Sequence, residues 1–257
     1  MTQLIPPNLF KQALAAGELQ LGSFLGLADA YSAEVMASTD FDWLLIDGEH
    51  GPNDIRTILA QLQVLAGYPV QSVVRPADHS SATIKRLLDI GAQSLLIPMV
   101  ESSEQALKLV QAIYYPPAGI RGVGAGMARA ARWNAVPDYL AQADDTICLV
   151  AQIESPAGLA DIEAIAAVDG VDGLFLGPAD LAASMGYLGQ PGHSEVRGAI
   201  ELAIPKIRAA GKAAGIYCGD PQLAEQYRAL GVSFMLIGAD TMLLRSAAGA
   251  QLKRFRG

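Results

Sequence analysis

The chain has 257 residues, 51% of them hydrophobic and 17% charged, with 26 acidic side chains against 18 basic ones and a net charge of −8. So apolar a composition excludes disorder, and the acidic balance excludes the basic surfaces that neutralise nucleic-acid phosphates. No apolar run approaches the roughly 18 residues of a membrane span, MTQLIPPNLFKQ lacks a basic-then-apolar leader, and Cys148 and Cys218 stand far apart. Together these predict a soluble cytoplasmic protein with free, buried thiols and no cysteine metal site.

In chain order, short apolar runs alternate with segments of helical spacing, and Gly, Pro or Asp marks each junction. The first run, Leu21–Leu27, leads into GLADAY rather than the Gly-x-Gly-x-x-Gly turn of an open dinucleotide-binding sheet. Trp43–Asp47 runs into IDGEHGP, which sets Asp47, Glu49 and His50 just past a buried strand. Asp47 three residues before His50 could fix an imidazole tautomer for general-base work, or the pair could be an ordinary surface Asp and His. Gln71–Arg75 ends in a guanidinium followed by proline, suited to a carboxylate or an oxyanion, or else to an ion pair with Asp47 or Glu49. Ser94–Met99 is the fourth run. A long Gly- and Arg-rich connection, residues 114–140, follows the helical segment SSEQALKLVQAI, and long loops in compact domains tend to be functional.

Ile147–Ile153 runs into Gln152 and Glu154, and Gly173–Leu176 into Gly177, Pro178, Ala179 and Asp180. Ala213–Tyr217 and Phe234–Ile237 complete a set of eight. Eight apolar strands alternating with helices predict a single (β/α)8 barrel domain over residues 1–257, whose chemistry sits where strands run into βα loops. Glu154 and Asp180 fall at adjacent strand ends, where two carboxylates in a dry mouth call for a counter-charge. Mg²⁺ or Mn²⁺ suits such oxygen donors, with Co²⁺ as a substitute, unless Glu154 pairs with an arginine and Asp180 caps a helix. No lysine lies inside a strand, which disfavours Schiff-base chemistry.

The motifs LLIDGEHGP, VVRP, PPAGIRGVG, RWNAVPDYL, AQIES and GLFLGPADL, in this order over nearly the whole chain, resemble the HpcH/HpaI aldolase family of metal-dependent pyruvate aldolases. The resemblance implies a barrel of the phosphoenolpyruvate/pyruvate superfamily. It implies that Glu154 and Asp180 bind the metal and that Arg75 steadies the keto oxygen. His50, oriented by Asp47, would be the base. The Gly177–Pro178–Ala179 turn would hold the pyruvate carboxylate through the backbone amides around Ala179 and Asp180, with Gln152 beside it. The implied reaction is reversible cleavage of 4-hydroxy-2-oxo acids, of the 4-hydroxy-2-oxoheptanedioate type, to pyruvate and an aldehyde such as succinate semialdehyde. Arg121, Arg129 and Arg132 are then candidates for the aldehyde's far carboxylate, or for subunit contacts. Phe24 stands where the family pattern has tryptophan and Tyr217 where it has an aliphatic residue, and both would line the aldehyde side. The family's paired trimers imply a homo-hexamer in which TMLLRSAAGAQLKRF packs on a neighbour and Asp89 crosses an interface. Cleavage of sugar-derived acids such as 2-keto-3-deoxyglucarate or 2-keto-3-deoxyrhamnonate, and a non-catalytic keto-acid-binding barrel, are the competing readings.

Overall fold

A computed structural model describes residues 5–256. Eight strands, β1 (Gln20–Leu25), β2 (Trp43–Asp47), β3 (Gln71–Arg75), β4 (Ser94–Ile97), β5 (Cys148–Ile153), β6 (Gly173–Leu176), β7 (Ala213–Tyr217) and β8 (Val232–Ala239), pair in sequence order. All pairs are parallel, and β8 returns to β1 to close the barrel. The expected strands β2, β3, β6 and β7 coincide with those found, while β1 and β4 stop two residues early. At β4 the cause is local: Pro98 has no N–H to give the ladder, and Met99 takes a left-handed φ of 53°.

Residues alternate between two apolar layers. Leu45, Val73, Leu96, Val150, Phe175, Phe234 and Leu236 fill the barrel. Their strand neighbours Leu44, Ile46, Val74, Leu95, Ile97, Leu149 and Leu174 pack outward on the helices. Because both faces are covered, the strands read as unbroken apolar runs. The helix Leu9–Ala16 closes the floor, with the Phe10 ring tilted 5.1 Å from Trp43 and edge-on 5.9 Å from Phe234. Gly22 leaves room for that Trp43 ring, since a Cβ there would lie 2.5 Å from it.

The connection 114–140 leaves the helix Ser103–Ile113 and leads toward β5, so it is an αβ loop and lies at the floor of the barrel, away from the strands' C-terminal ends. It forms a small core of its own around Tyr115, Ala131, Val136 and Tyr139. The last helix, Asp240–Arg256, buries only Asp240, leaving Leu243, Leu244, Leu252 and Phe255 exposed. No helix among the described residues is long and apolar enough to cross a membrane.

Candidate active site

The strand ends converge on a cavity of about 240 Å³ lined by Phe24, His50, Arg75, Gln152, Glu154, the turn from Gly177 to Asp180, and Tyr217. Phe175, Ala239 and Met242 complete its wall. A larger hollow of about 600 Å³ opens among Leu9, Glu18, Phe41 and Val70 at the floor, where none of these groups reaches. Size therefore does not mark the site; the convergence of polar side chains does.

On one side of the mouth the β2–β3 register sets Asp47 opposite Arg75. The carboxylate accepts from Arg75 Nε at 2.9 Å and Nη2 at 2.8 Å, a two-pronged pair buried from solvent. Backbone N–H groups of Glu49 and His50 add two more donors. Burial alone would raise the Asp47 carboxyl, but Arg75 and those amides outweigh it and hold it below the ordinary 3.8. Arg75 Nη1 also lies 3.0 Å from Glu49 Oε2, close enough for an ion pair but with its N–H aimed elsewhere, so that buried oxygen has no hydrogen-bond donor. Burial raises the Glu49 carboxyl above 4.5, with Arg75 only partly offsetting it.

This geometry corrects one expectation. Asp47 does not hold the His50 imidazole, because its oxygens are taken by Arg75 and by backbone amides. The ring Nε2 instead faces Glu49 Oε2 at 3.6 Å, and the side chain is 64% exposed.

On the other side, Glu154 is buried and has no basic partner among the described residues. Its Oε1 accepts the Met99 N–H at 2.8 Å, and its Oε2 accepts a short bond from Gln152 Nε2. Burial, then the nearby charges of Glu49 and Asp180, push its carboxyl upward against those two donors. Gly177 is required here for space, since a Cβ would meet Glu154 Oε2 at 2.6 Å. Asp180 sits in the first turn of the helix Pro178–Ser184 and is exposed; the N-cap is Gly177, with no side-chain capping bond. The two structural alternatives for this pair, an arginine partner and a helix cap, are thus both absent. Gln152 spans the two sides, because its Oε1 accepts from Arg75 Nη1 at 3.4 Å.

Four carboxylates, Asp47, Glu49, Glu154 and Asp180, therefore share the mouth with a single guanidinium, which faces only the first two. That excess suits a divalent cation held by oxygen ligands. Among the described residues no three His, Cys, Asp or Glu side chains converge as a cage. Two carboxylates with open positions for water and substrate are what a catalytic Mg²⁺-type site uses. No lysine lines the cavity.

The profile of the HpcH/HpaI aldolase/citrate lyase family matches residues 20–247. The chain belongs to that family. Among curated relatives, it is 57% identical over 253 residues to a hydroxypyruvate/pyruvate aldolase of Pseudomonas aeruginosa, covering 98% of this chain and 94% of that one. A protein of the same name from Deinococcus radiodurans is 59% identical over 97% of this chain and 90% of its own. A 4-hydroxy-2-oxo-heptane-1,7-dioate aldolase of Salmonella typhi is 55% identical over 96% and 94%. The crystal structure of an HpcH/HpaI aldolase/citrate lyase family protein from Burkholderia cenocepacia superposes with a TM-score of 0.94 at 39% identity, over 97% of this chain and all of that one. As an HpcH/HpaI aldolase, the chain is a carbon–carbon lyase.

Within this family member, the residues expected from sequence at the pyruvate side all line or border one mouth. Phe24 and Tyr217 do too, their rings 5.9 Å apart, with the Arg75 guanidinium 5.1 Å from the Phe24 ring centre. The floor residues do not. Arg121 is buried against Asp89 at 3.2 Å and the Tyr115 ring at 4.4 Å. Arg129 donates to the carbonyls of Ile90 and Leu62, and Arg132 lines the same small floor pocket. These arginines do not reach their own chain's mouth, because an αβ loop cannot be at the C-terminal end of the strands. Asp89, expected to cross an interface, has Arg121 as its partner within the chain. Sequence reasoning gave Glu49 only as a possible partner of Arg75, and it missed Met99, whose contribution is a backbone N–H that no residue type signals.

Proposed function

We propose that the chain is a metal-dependent pyruvate aldolase acting as one barrel domain, which cleaves 4-hydroxy-2-oxo acids to pyruvate and an aldehyde and also runs the condensation. The observation that carries this reading is the Glu154–Asp180 pair, without a basic partner, beside an Arg75 already fixed by Asp47. Mg²⁺ or Mn²⁺, with Co²⁺ as a substitute, is the group Glu154 and Asp180 would hold, and it supplies a Lewis acid that polarises the keto carbonyl. Arg75 is rigid and dry, so it adds positive charge where the keto oxygen turns negative at no reorganisation cost. His50 takes the proton of the 4-hydroxyl as the C3–C4 bond breaks and its electron pair passes to the keto-acid fragment as an enolate, which becomes pyruvate on taking a proton at C3; in synthesis C3 loses that proton and the ring returns its own to the new 4-hydroxyl. First-turn amides at Ala179 and Asp180, with no side-chain cap competing for them, hold the carboxylate beside Gln152. Phe24 and Tyr217 wall the aldehyde end.

The choice of aldehyde follows from charge. Among the described residues lining the cavity, Arg75 is the one permanent cation, and two carboxylates already face it. An uncharged aldehyde suits this mouth, whereas succinate semialdehyde needs a cation from a neighbouring subunit. The relatives named hydroxypyruvate/pyruvate aldolase support hydroxypyruvate as a second keto acid. The exposed apolar face of the last helix supports packing on a second copy, and a cytoplasmic homo-hexamer is the assembly we propose. Chelator-treated protein given 4-hydroxy-2-oxoheptanedioate should release pyruvate only after Mg²⁺ or Mn²⁺ is restored. Equal release without the ion overturns the mechanism. Ranking kcat/KM for glycolaldehyde against succinate semialdehyde, with pyruvate or hydroxypyruvate, decides the substrate pair.

A further inference from the structure

We propose that Met99 is a positioning residue for Glu154, acting through its backbone N–H, which a one-residue bulge removes from the barrel ladder. The inference rests on the reading of Glu154 as a metal ligand. The β4–β5 register runs from Ser94 opposite Cys148 to Ile97 opposite Ala151. Parallel hydrogen bonds are evenly spaced, so continuing this register by two residues would place the Met99 N–H on the Gln152 carbonyl. That carbonyl instead accepts from Val100 N–H, at 3.0 Å. One extra residue has entered β4's side of the pairing, and bulges of this kind re-aim groups beside active sites.

The freed N–H donates to Glu154 Oε1 at 2.8 Å. Gln152 Nε2 serves Oε2 of the same carboxylate, so each oxygen keeps a lone pair for a further ligand. At the same residue the chain takes a left-handed φ of 53°, unusual for a residue with a Cβ. Backbone strain of this sort persists where surrounding structure enforces it and gathers at functional sites. Met99 is 44% exposed and does not line the cavity, so residue type at this position acts through φ rather than through contacts. A backbone amide also suits the task chemically: it keeps its proton at every working pH and cannot compete as a ligand.

The test measures Mn²⁺ affinity by electron paramagnetic resonance of the free ion, together with the thermal midpoint of the metal-free protein. M99V, β-branched and averse to left-handed φ, should bind Mn²⁺ about tenfold more weakly, and M99G should stay within about twofold of wild type. Replacing Met99 by its α-hydroxy analogue turns the N–H into an ester oxygen; that protein should also lose about tenfold in affinity while its metal-free thermal midpoint moves little. Wild-type Mn²⁺ affinity in M99V or in the ester, or equal weakening in M99G and M99V, overturns the proposal. If M99V does not fold, the ester against M99G decides alone. E154Q separates the two levels of inference: Mn²⁺ binding at wild-type strength in that variant overturns the metal reading itself.

Discussion

The two sides of the mouth each bury a carboxylate, with opposite outcomes. At β2–β3, Asp47 is buried and fully compensated by a bidentate arginine, and its carboxyl is held below the ordinary value. At β5–β6, Glu154 is buried as deeply, but only an amide side chain and a backbone N–H meet it, and its carboxyl is pushed up. The Asp47–Arg75 pair is internally neutral and rigid. The second side has no counter-charge among the described residues, and the proposed divalent cation would supply it. A buried carboxylate thus says little by itself; whether its counter-charge is built in separates scaffold from site.

The largest expected effect breaks the link between the sides. Arg75→Ala should lower kcat by about 10²–10³-fold with KM changing less, as loss of a preorganised oxyanion donor does; steady-state pyruvate release with the divalent ion saturating reads it. Asp47→Asn should then cost about 3 kcal/mol in urea unfolding, because it weakens compensation of a buried cation. Glu154→Gln should leave the metal-free protein as stable or up to about 1 kcal/mol more so, since it removes an uncompensated buried charge. If both substitutions destabilise alike, the contrast between the two sides is gone. Added Mg²⁺ should raise the thermal midpoint of wild type and leave E154Q unmoved, by simple linkage.

The pH dependence sharpens the same point. Asp47's folded carboxyl titrates below its unfolded value of 3.8, so the unfolded chain binds the proton more readily. Its stabilisation is therefore complete well above pH 3.8 and is lost as pH falls through the lower, folded value. The stability gap between wild type and D47N, followed by circular dichroism during acid unfolding, should shrink over that window. The smaller of the two effects on catalysis belongs to the aldehyde wall, where Tyr217→Leu should alter the preference between aldehydes by about tenfold in kcat/KM.

Much of this was legible in the residues. Strand cores such as Trp43–Asp47 and Gly173–Leu176 announce themselves because both faces of a parallel barrel strand are buried, and the polar residues just past them could only fall at one end of the barrel. The composition, the strand count and the set Asp47, Arg75, Gln152, Glu154 and Asp180 needed no coordinates. Pairing did. Asp47 and His50 are neighbours in sequence, yet Asp47 pairs with Arg75, 28 residues away, because interstrand register sets side-chain partners more firmly than a loop's spacing does. Arginines 121, 129 and 132 read as candidates for a substrate carboxylate or for subunit contacts, and chain direction put their loop at the floor of their own barrel. The Met99 amide had no sequence signal at all, since every residue but proline carries one, and only the bulge aims it. Sequence by itself determined which chemical groups are present and at which end of the barrel strand-end groups lie. Tertiary structure decided which charges cancel and which remain for a cation, because compensation depends on ångström distances between strands.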